Sequence, residues 1–277
     1  MKRKHLKVLL STMGALIAML ALTASPAQAV EEPAPGYEDF AGCPSPEEDS
    51  TMEACLTSTV TGGHFQMGSK DVPITKPITL SGAISGVDGS FHYNSKGGLL
   101  PAKQEVPGGV VGITGLDWLV KFLGVDALKL YAVTELAGQP GNPFFDEPFP
   151  LPIKVHLVNP VLGNNCYVGS NSNPIQLKLS LGTTSPPPPN EPISGQSPEI
   201  VLDPTREGVF LSEGGTYVDN SFAAPAASGC VLTLLGFLPV NISGLVNTQA
   251  GLPSAAGTNE TVQEFEGAVA YIPTVYP

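Results

Sequence analysis

From position 57 onward the chain sets short apolar and β-branched runs between Gly, Pro and Asn breaks. The clearest runs alternate: Ile153, Val155 and Leu157 are separated by Lys154 and His156, and Ile175, Leu177, Leu179 and Leu181 by Gln176, Lys178 and Ser180. Successive side chains of a strand point to opposite faces, so each run predicts a strand with one dry face and one wet face. Further strands are predicted at 57–67, 74–80, 130–136, 199–202, 208–211, 216–218, 231–237 and 264–272. Around ten strands with frequent breaks predict an all-β fold, an antiparallel β-sandwich or barrel-like assembly. No fixed-period repeat points to a solenoid or propeller.

One stretch departs from this period. Leu116, Leu119, Val120, Leu123 and Ala127 recur at helical intervals, and Asp117 and Lys121 lie four apart. This predicts one short helical insertion over 116–129, with Gly124 a break. Trp118, Phe122 and Val125 make the other side apolar too, as expected of a helix closing one end of the sheets, with contact to a membrane surface as the alternative.

The N-terminus has a different pattern. Lys2, Arg3, Lys4 and Lys7 precede an apolar run over 8–22 and the small-x-small triplet Ala27-Gln28-Ala29, the layout of a signal peptide. Residues 1–29 are therefore expected to be removed on export, leaving an acidic, Pro-containing leader at 30–56 and a β domain at 57–277. No later run has the length of a membrane span; the longest, over 231–240, is interrupted by Gly236 and Pro239. The expected location is extracellular or in a Gram-positive cell envelope, with no transmembrane segment after cleavage.

Export gives the cysteines their meaning. Cys43, Cys55, Cys166 and Cys230 are an even set in an oxidising compartment, which predicts two disulfides. Three pairings are possible. Cys43 with Cys55 and Cys166 with Cys230 is favoured, because the first two sit in a leader with little else to hold it. Their spacing matches no zinc site.

Composition narrows the partners. Cleavage removes four of the 13 basic residues and no acid, so nine basic residues face 25 acidic ones, a net charge of −16. That surface repels phosphate backbones, and nucleic acid is excluded as a partner. Low charge with 31 Gly and 28 Pro fits a turn-rich exported β protein. Pro186 to Pro189 predict a stiff extended loop between strands.

Chemistry is sparse. There is no GxSxG elbow, and the Gly-rich runs at 96–98 and 108–109 lack the GK[ST] context of a phosphate cradle. His156 falls on a wet strand face, while His64, His92 and Asp88 supply zinc-ligand residue types without zinc-ligand spacing. Glu47, Glu48, Asp49 and Glu53 match no calcium loop. A hydrolytic carboxylate pair would have to come from scattered acids such as Asp88, Glu105, Glu135, Asp146, Glu147, Asp203, Glu207 and Glu213. Asn241-Ile242-Ser243 and Asn259-Glu260-Thr261 have the glycosylation pattern. The sequence therefore names no catalytic residue, no metal ligand and no cofactor.

Four blocks, 100–116 (LPAKQEVPGGVVGITGL), 154–195 (beginning KVHLVNPVLGNNCYVG), 218–230 (VDNSFAAPAASGC) and 251–257 (GLPSAAG), resemble an uncharacterised family of secreted actinobacterial proteins. The resemblance spans most of the exported chain. It implies a shared exported β fold with Cys166 and Cys230 paired, and it brings no activity, cofactor or site residues. The expected function is non-catalytic: surface recognition of an envelope or extracellular ligand, or a structural role. The alternatives are a hydrolase with dispersed carboxylates and an apolar-ligand or membrane-surface binder using the region around Trp118.

Overall fold

The computed structural model describes residues 31–116, 128–144, 146–160, 162–234 and 238–277. The predicted signal segment, Trp118 and nearly all of the predicted helix lie outside these residues. Among the described residues no helix is long and apolar enough to cross a membrane.

The predicted alternation folds as an antiparallel sandwich of two sheets. β1 (Met52–Met67) turns at Gly68 into β2 (Lys70–Pro73), followed by β3 (Ile78–Ser85), β4 (Phe91–His92) and β5 (Gly98–Leu100). The chain then crosses to the second sheet through β6 (Lys103–Glu105), the short helix α1 (Gly109–Thr114), β7 (Tyr131–Leu136), β8 (Phe149–Val158), β9 (Tyr167–Val168) and β10 (Ile175–Leu179). β11 (Glu199–Leu202) and β12 (Val209–Asp219) return to the first sheet, and β13 (Ala227–Ser228) joins the second. A separate hairpin of β14 (Val231–Leu234) and β15 (Leu238–Asn241) leads into α2 (Ser243–Ala250), β16 (Glu260–Tyr271) and the terminal turn α3 (Ile272–Val275).

The first sheet runs β11-β12-β16-β1-β3-β4, with β2 also on β1 and β5 also on β3. The second runs β13-β9-β8-β7-β6, with β10 also on β8. Pairing Ile175 with Ile153 and Leu177 with Leu151 sets the alternating apolar residues of β10 and β8 on one face, as their period requires.

Register shifts interrupt the first sheet at three places, one of them at Met52/Ala54 in the β1–β3 ladder. β12 shifts register between Ser212 and Gly215, so the two strands expected at 208–211 and 216–218 are one strand with a bulge inside it. β1 shifts between Val60 and Gly62. At Gly63 φ is +98°, and a Cβ there would stand 2.0 Å from the Val262 carbonyl oxygen, so only glycine fits.

The main core lies between the sheets, around Leu56, Leu80, Phe91, Ile153, Val155 and Leu177. A second cluster covers the outer face of the first sheet: Phe40 and Cys43 from the leader, Val209 and Ala270 from the strands, and Val275 and Tyr276 from the C-terminus. The acidic leader is thus tied down by packing as well as by sulfur. Tyr276 donates to the Cys43 carbonyl at 2.8 Å, the Ala34 N–H donates to the Val275 carbonyl at 2.8 Å, and the Arg206 guanidinium spans Asp39 and Asp203. The disulfides are Cys43–Cys55 and Cys166–Cys230. The proline loop is fastened too: Thr183 bridges Ser194, and the Asn190 side chain donates to the carbonyls of Asn220 and Asn259.

Burial of Tyr217 gives the fold an alkaline limit. Its ring stacks on Phe265 at 4.5 Å, and its hydroxyl donates to the Pro143 carbonyl at 3.2 Å. Burial, with the nearby Glu147 charge, pushes its pKa up to about 12. Below pH 10 the phenol is neutral in folded and unfolded chains alike; above it the unfolded chain ionises first, so stability falls between pH 10 and about 12. The expected loss is about 2 to 3 kcal/mol by pH 12, read from urea midpoints across that window. Tyr217→Phe should flatten the fall. Tyr276, also raised to about 12 by burial and then by Glu48, Glu31 and Glu32, should account for the remaining slope.

Candidate functional site

Between the sheets the core is not filled. Inward residues of β8, from Phe149 through Leu151, Ile153 and Val155 to Leu157, line one wall of a slit. That run is eight residue steps, roughly 26 Å of strand. Val60, Phe65 and Leu80 of the first sheet line the opposite wall, while Ile113 of α1 and Ala250 of α2 also border the slit. Space for the centre of a water-sized sphere inside it totals about 100 Å³. One water needs about 10–15 Å³ by that measure, and an apolar cavity stays dry. The void is therefore several waters large, long and thin.

Small or polar side chains at inward positions leave it open. Ser58 sits between Leu56 and Val60 on β1, and Ala132 and Thr134 are the inward pair on β7. The larger polar residues in the lining spend their polar atoms on the protein. Gln104 accepts from the Thr75 and Lys76 N–H groups at 2.9 and 3.0 Å and donates to the Lys76 carbonyl. Gln263 donates to Thr261, and Tyr217 to Pro143. Lys70 is the one lysine of the described lining, its Nζ donating to the Gly112 carbonyl of α1 at 2.7 Å. The described lining contains no acid and no histidine, so a carboxylate pair does not operate there.

The residue types that could carry catalysis or metal binding lie outside the slit. His64 faces Asp71 at 2.8 Å and Glu260 at 3.5 Å, whereas His92, paired across β3 to the start of β1, lies nine strand positions away, roughly 30 Å. Among the described residues no group of three or more His, Cys, Asp or Glu could hold a metal ion.

His92 has the outline of a nucleophile-base-acid row: Ser90 Oγ is 2.7 Å from Nε2 and Asp49 is 3.3 Å from Nδ1. The Ser90 hydroxyl, however, donates to Asp88 Oδ1 at 2.6 Å, so its proton is not presented to His92 as it would be in a nucleophile–base pair. Hydrogen bonds from Ser90, then from Ser85, draw the Asp88 pKa down to about 2. The same Asp-to-hydroxyl turn recurs at Asp49–Thr51, Asp203–Thr205 and Asp219–Ser221, which marks it as a device of loop folding.

Of the other acids on the sequence's list, Glu213 stands opposite Glu199 in the β11–β12 ladder and borders an open surface recess with it and Glu266, whereas the following are held singly. Asp146 accepts from the Asn142 N–H, Glu147 from Ser180, and Asp203 from Thr205 and Arg206, which hold it well below the usual carboxylate range. Glu135 meets Lys154 and His156 on the outer face of the second sheet. There His156 departs from the wet position its strand period predicts. Tyr167 sits directly opposite in the β8–β9 ladder and stacks on it at 4.3 Å, leaving the histidine side chain 20% exposed. Desolvation, then the Glu135 charge, raises the Tyr167 pKa.

No protein family, curated protein or solved structure matches the chain.

The sequence reading missed the slit. Its wall is written as alternating apolar residues, the same code that specifies a filled core. The available signal was the coincidence of Ser58, Ala132 and Thr134 at inward positions on facing strands.

Proposed function

We propose that the chain is an exported, non-catalytic binding protein of the envelope or extracellular medium that holds an apolar ligand between its two sheets. The observation that carries this reading is the slit itself. Protein interiors are close-packed with few voids above the size of a water, and this one runs along a whole strand with almost no polar lining. Export is supported by the basic head and apolar run of residues 1–29 and by the two disulfides. The resemblance to secreted actinobacterial proteins points the same way. Surface recognition, the first expectation from sequence, gives way to interior binding because the slit is a recess of defined chemistry.

The test is to fill it. The exported chain is expected to bind the neutral dye N-phenyl-1-naphthylamine saturably at one site. Ser58→Leu with Ala132→Leu should weaken that binding at least about tenfold, while the melting temperature holds or rises as the void is taken up. A wild-type chain with no saturable dye binding, beside a filled variant of raised stability, would mean loose packing and overturn the proposal.

A further inference from the structure

Resting on that reading, we propose that the ligand is a single-chain carboxylate amphiphile, with its apolar tail in the slit and its carboxylate on Lys70. Three observations define this ligand. The first is shape: about 100 Å³ of space bordered by a wall as long as β8 accommodates one slender chain. The second is the scarcity of polar anchors in depth. Gln104 and Tyr217 are already bonded within the protein and Gln263 donates to Thr261, which leaves the Ser58 and Thr134 hydroxyls and the Gln263 amide oxygen as the polar groups of the described lining that a ligand meets there besides Lys70.

The third observation is the charge at one end. Lys70 follows the β1–β2 turn, and Ser69 beside it donates to the carbonyls of Ala250 and Gln249, so the lysine sits where α1, α2 and the hairpin meet. Its only partner among the described residues is the neutral Gly112 carbonyl, which occupies one of three ammonium protons and leaves the charge uncompensated. This occurs in a chain of 25 acids and 13 bases, where Lys96, Lys154 and Arg206 each have a carboxylate. A cation bordering apolar surface gains most from an anion that brings its own apolar body. One ammonium, without a guanidinium fork or a second cation, matches the single charge of a carboxylate better than a phosphate dianion.

The test uses cis-parinaric acid and its methyl ester, which share a fluorescent straight chain and differ in the charge of the head. For the wild-type chain at pH 8 the acid should bind at least about tenfold more tightly than the ester, and added salt should narrow the gap. Lys70→Met keeps the apolar stem, and it should abolish the preference for the acid over the ester. Lys70→Arg should keep the preference. Equal affinity of the wild type for acid and ester, or equal weakening of both by Lys70→Met, would overturn the head-group assignment and leave the slit in place. Binding of neither probe would overturn the slit reading itself.

Discussion

Asn259→Ala is expected to remove at least about 4 kcal/mol of stability. Asn259 is fully buried and all four of its amide positions are used. Oδ1 accepts from the Gly68 N–H at 2.9 Å and from Ser254 Oγ at 2.6 Å, and Nδ2 donates to the carbonyls of Phe222 at 2.9 Å and Ala255 at 3.0 Å. These partners belong to the β1–β2 turn, the loop after β12 and the loop after α2, the last two also joined by the isolated Ala224–Ser254 bridge. Each buried group left without a partner costs about 1–3 kcal/mol, and here the Phe222 carbonyl, the Gly68 N–H and the Ser254 hydroxyl lose theirs together, while the Ala255 carbonyl keeps Thr258. Asn259→Asp separates the two halves of the site: a carboxylate still accepts from Gly68 and Ser254 but cannot donate to Phe222 and Ala255. Urea titration should rank wild type well above Asn259→Asp, with the alanine variant at or below the aspartate. An alanine variant within about 1 kcal/mol of wild type would mean that water restores these bonds. The same geometry answers the glycosylation pattern at 259–261, because both amide protons are engaged inside the folded chain.

The strands were legible where one face is dry and the other wet. β10 falls within its expected span and β8 contains the run expected from Ile153 to Leu157, because Val, Ile and Leu alternate with Lys, Gln or His there, and a one-residue slip would reverse every side chain; β11 coincides with 199–202 although its Ile200 and Leu202 are exposed. What escaped has a physical reason in each case. The helix α2 reads SGLVNTQA, with Val246 and Ala250 its only buried residues and no capping side chain, so its apolar stripe is too narrow to register as a helical period. The leader reads as a solvated acidic segment because its anchors are remote: Phe40 and Cys43 pack with Val275 and Tyr276, and the Tyr276 to Cys43 hydrogen bond spans 233 positions. No local pattern reports such a contact. The slit is the same problem inverted, since an unfilled core and a filled one differ in side-chain volume and not in period. Lys70 was invisible for a related reason: only the fold shows that a hairpin lysine borders an apolar interior.

Removing the Cys166–Cys230 bond by a double alanine substitution is expected to cost about 4 kcal/mol, against about 3 for Cys43–Cys55. The difference follows from the loops closed, 64 residues apart in one case and 12 in the other, because a longer loop restricts the unfolded chain more. The native surroundings of the longer bond are self-supporting. Leu157 N–H donates to the Cys166 carbonyl at 2.8 Å, Ile242 N–H to the Cys230 carbonyl at 2.9 Å, and Val231 N–H to Leu162 at 3.0 Å. The folded form should therefore keep its structure, with dye binding in the slit retained at low temperature, while its melting temperature falls. A loss under about 1 kcal/mol would show that residual structure in the unfolded chain already holds these segments together. A domain of this size has roughly 5–15 kcal/mol of stability in total, and the two bonds together account for about 7 of it. A thiol reductant should bring the chain close to its unfolding threshold at physiological temperature, and a fold with that dependence is suited to an oxidising compartment.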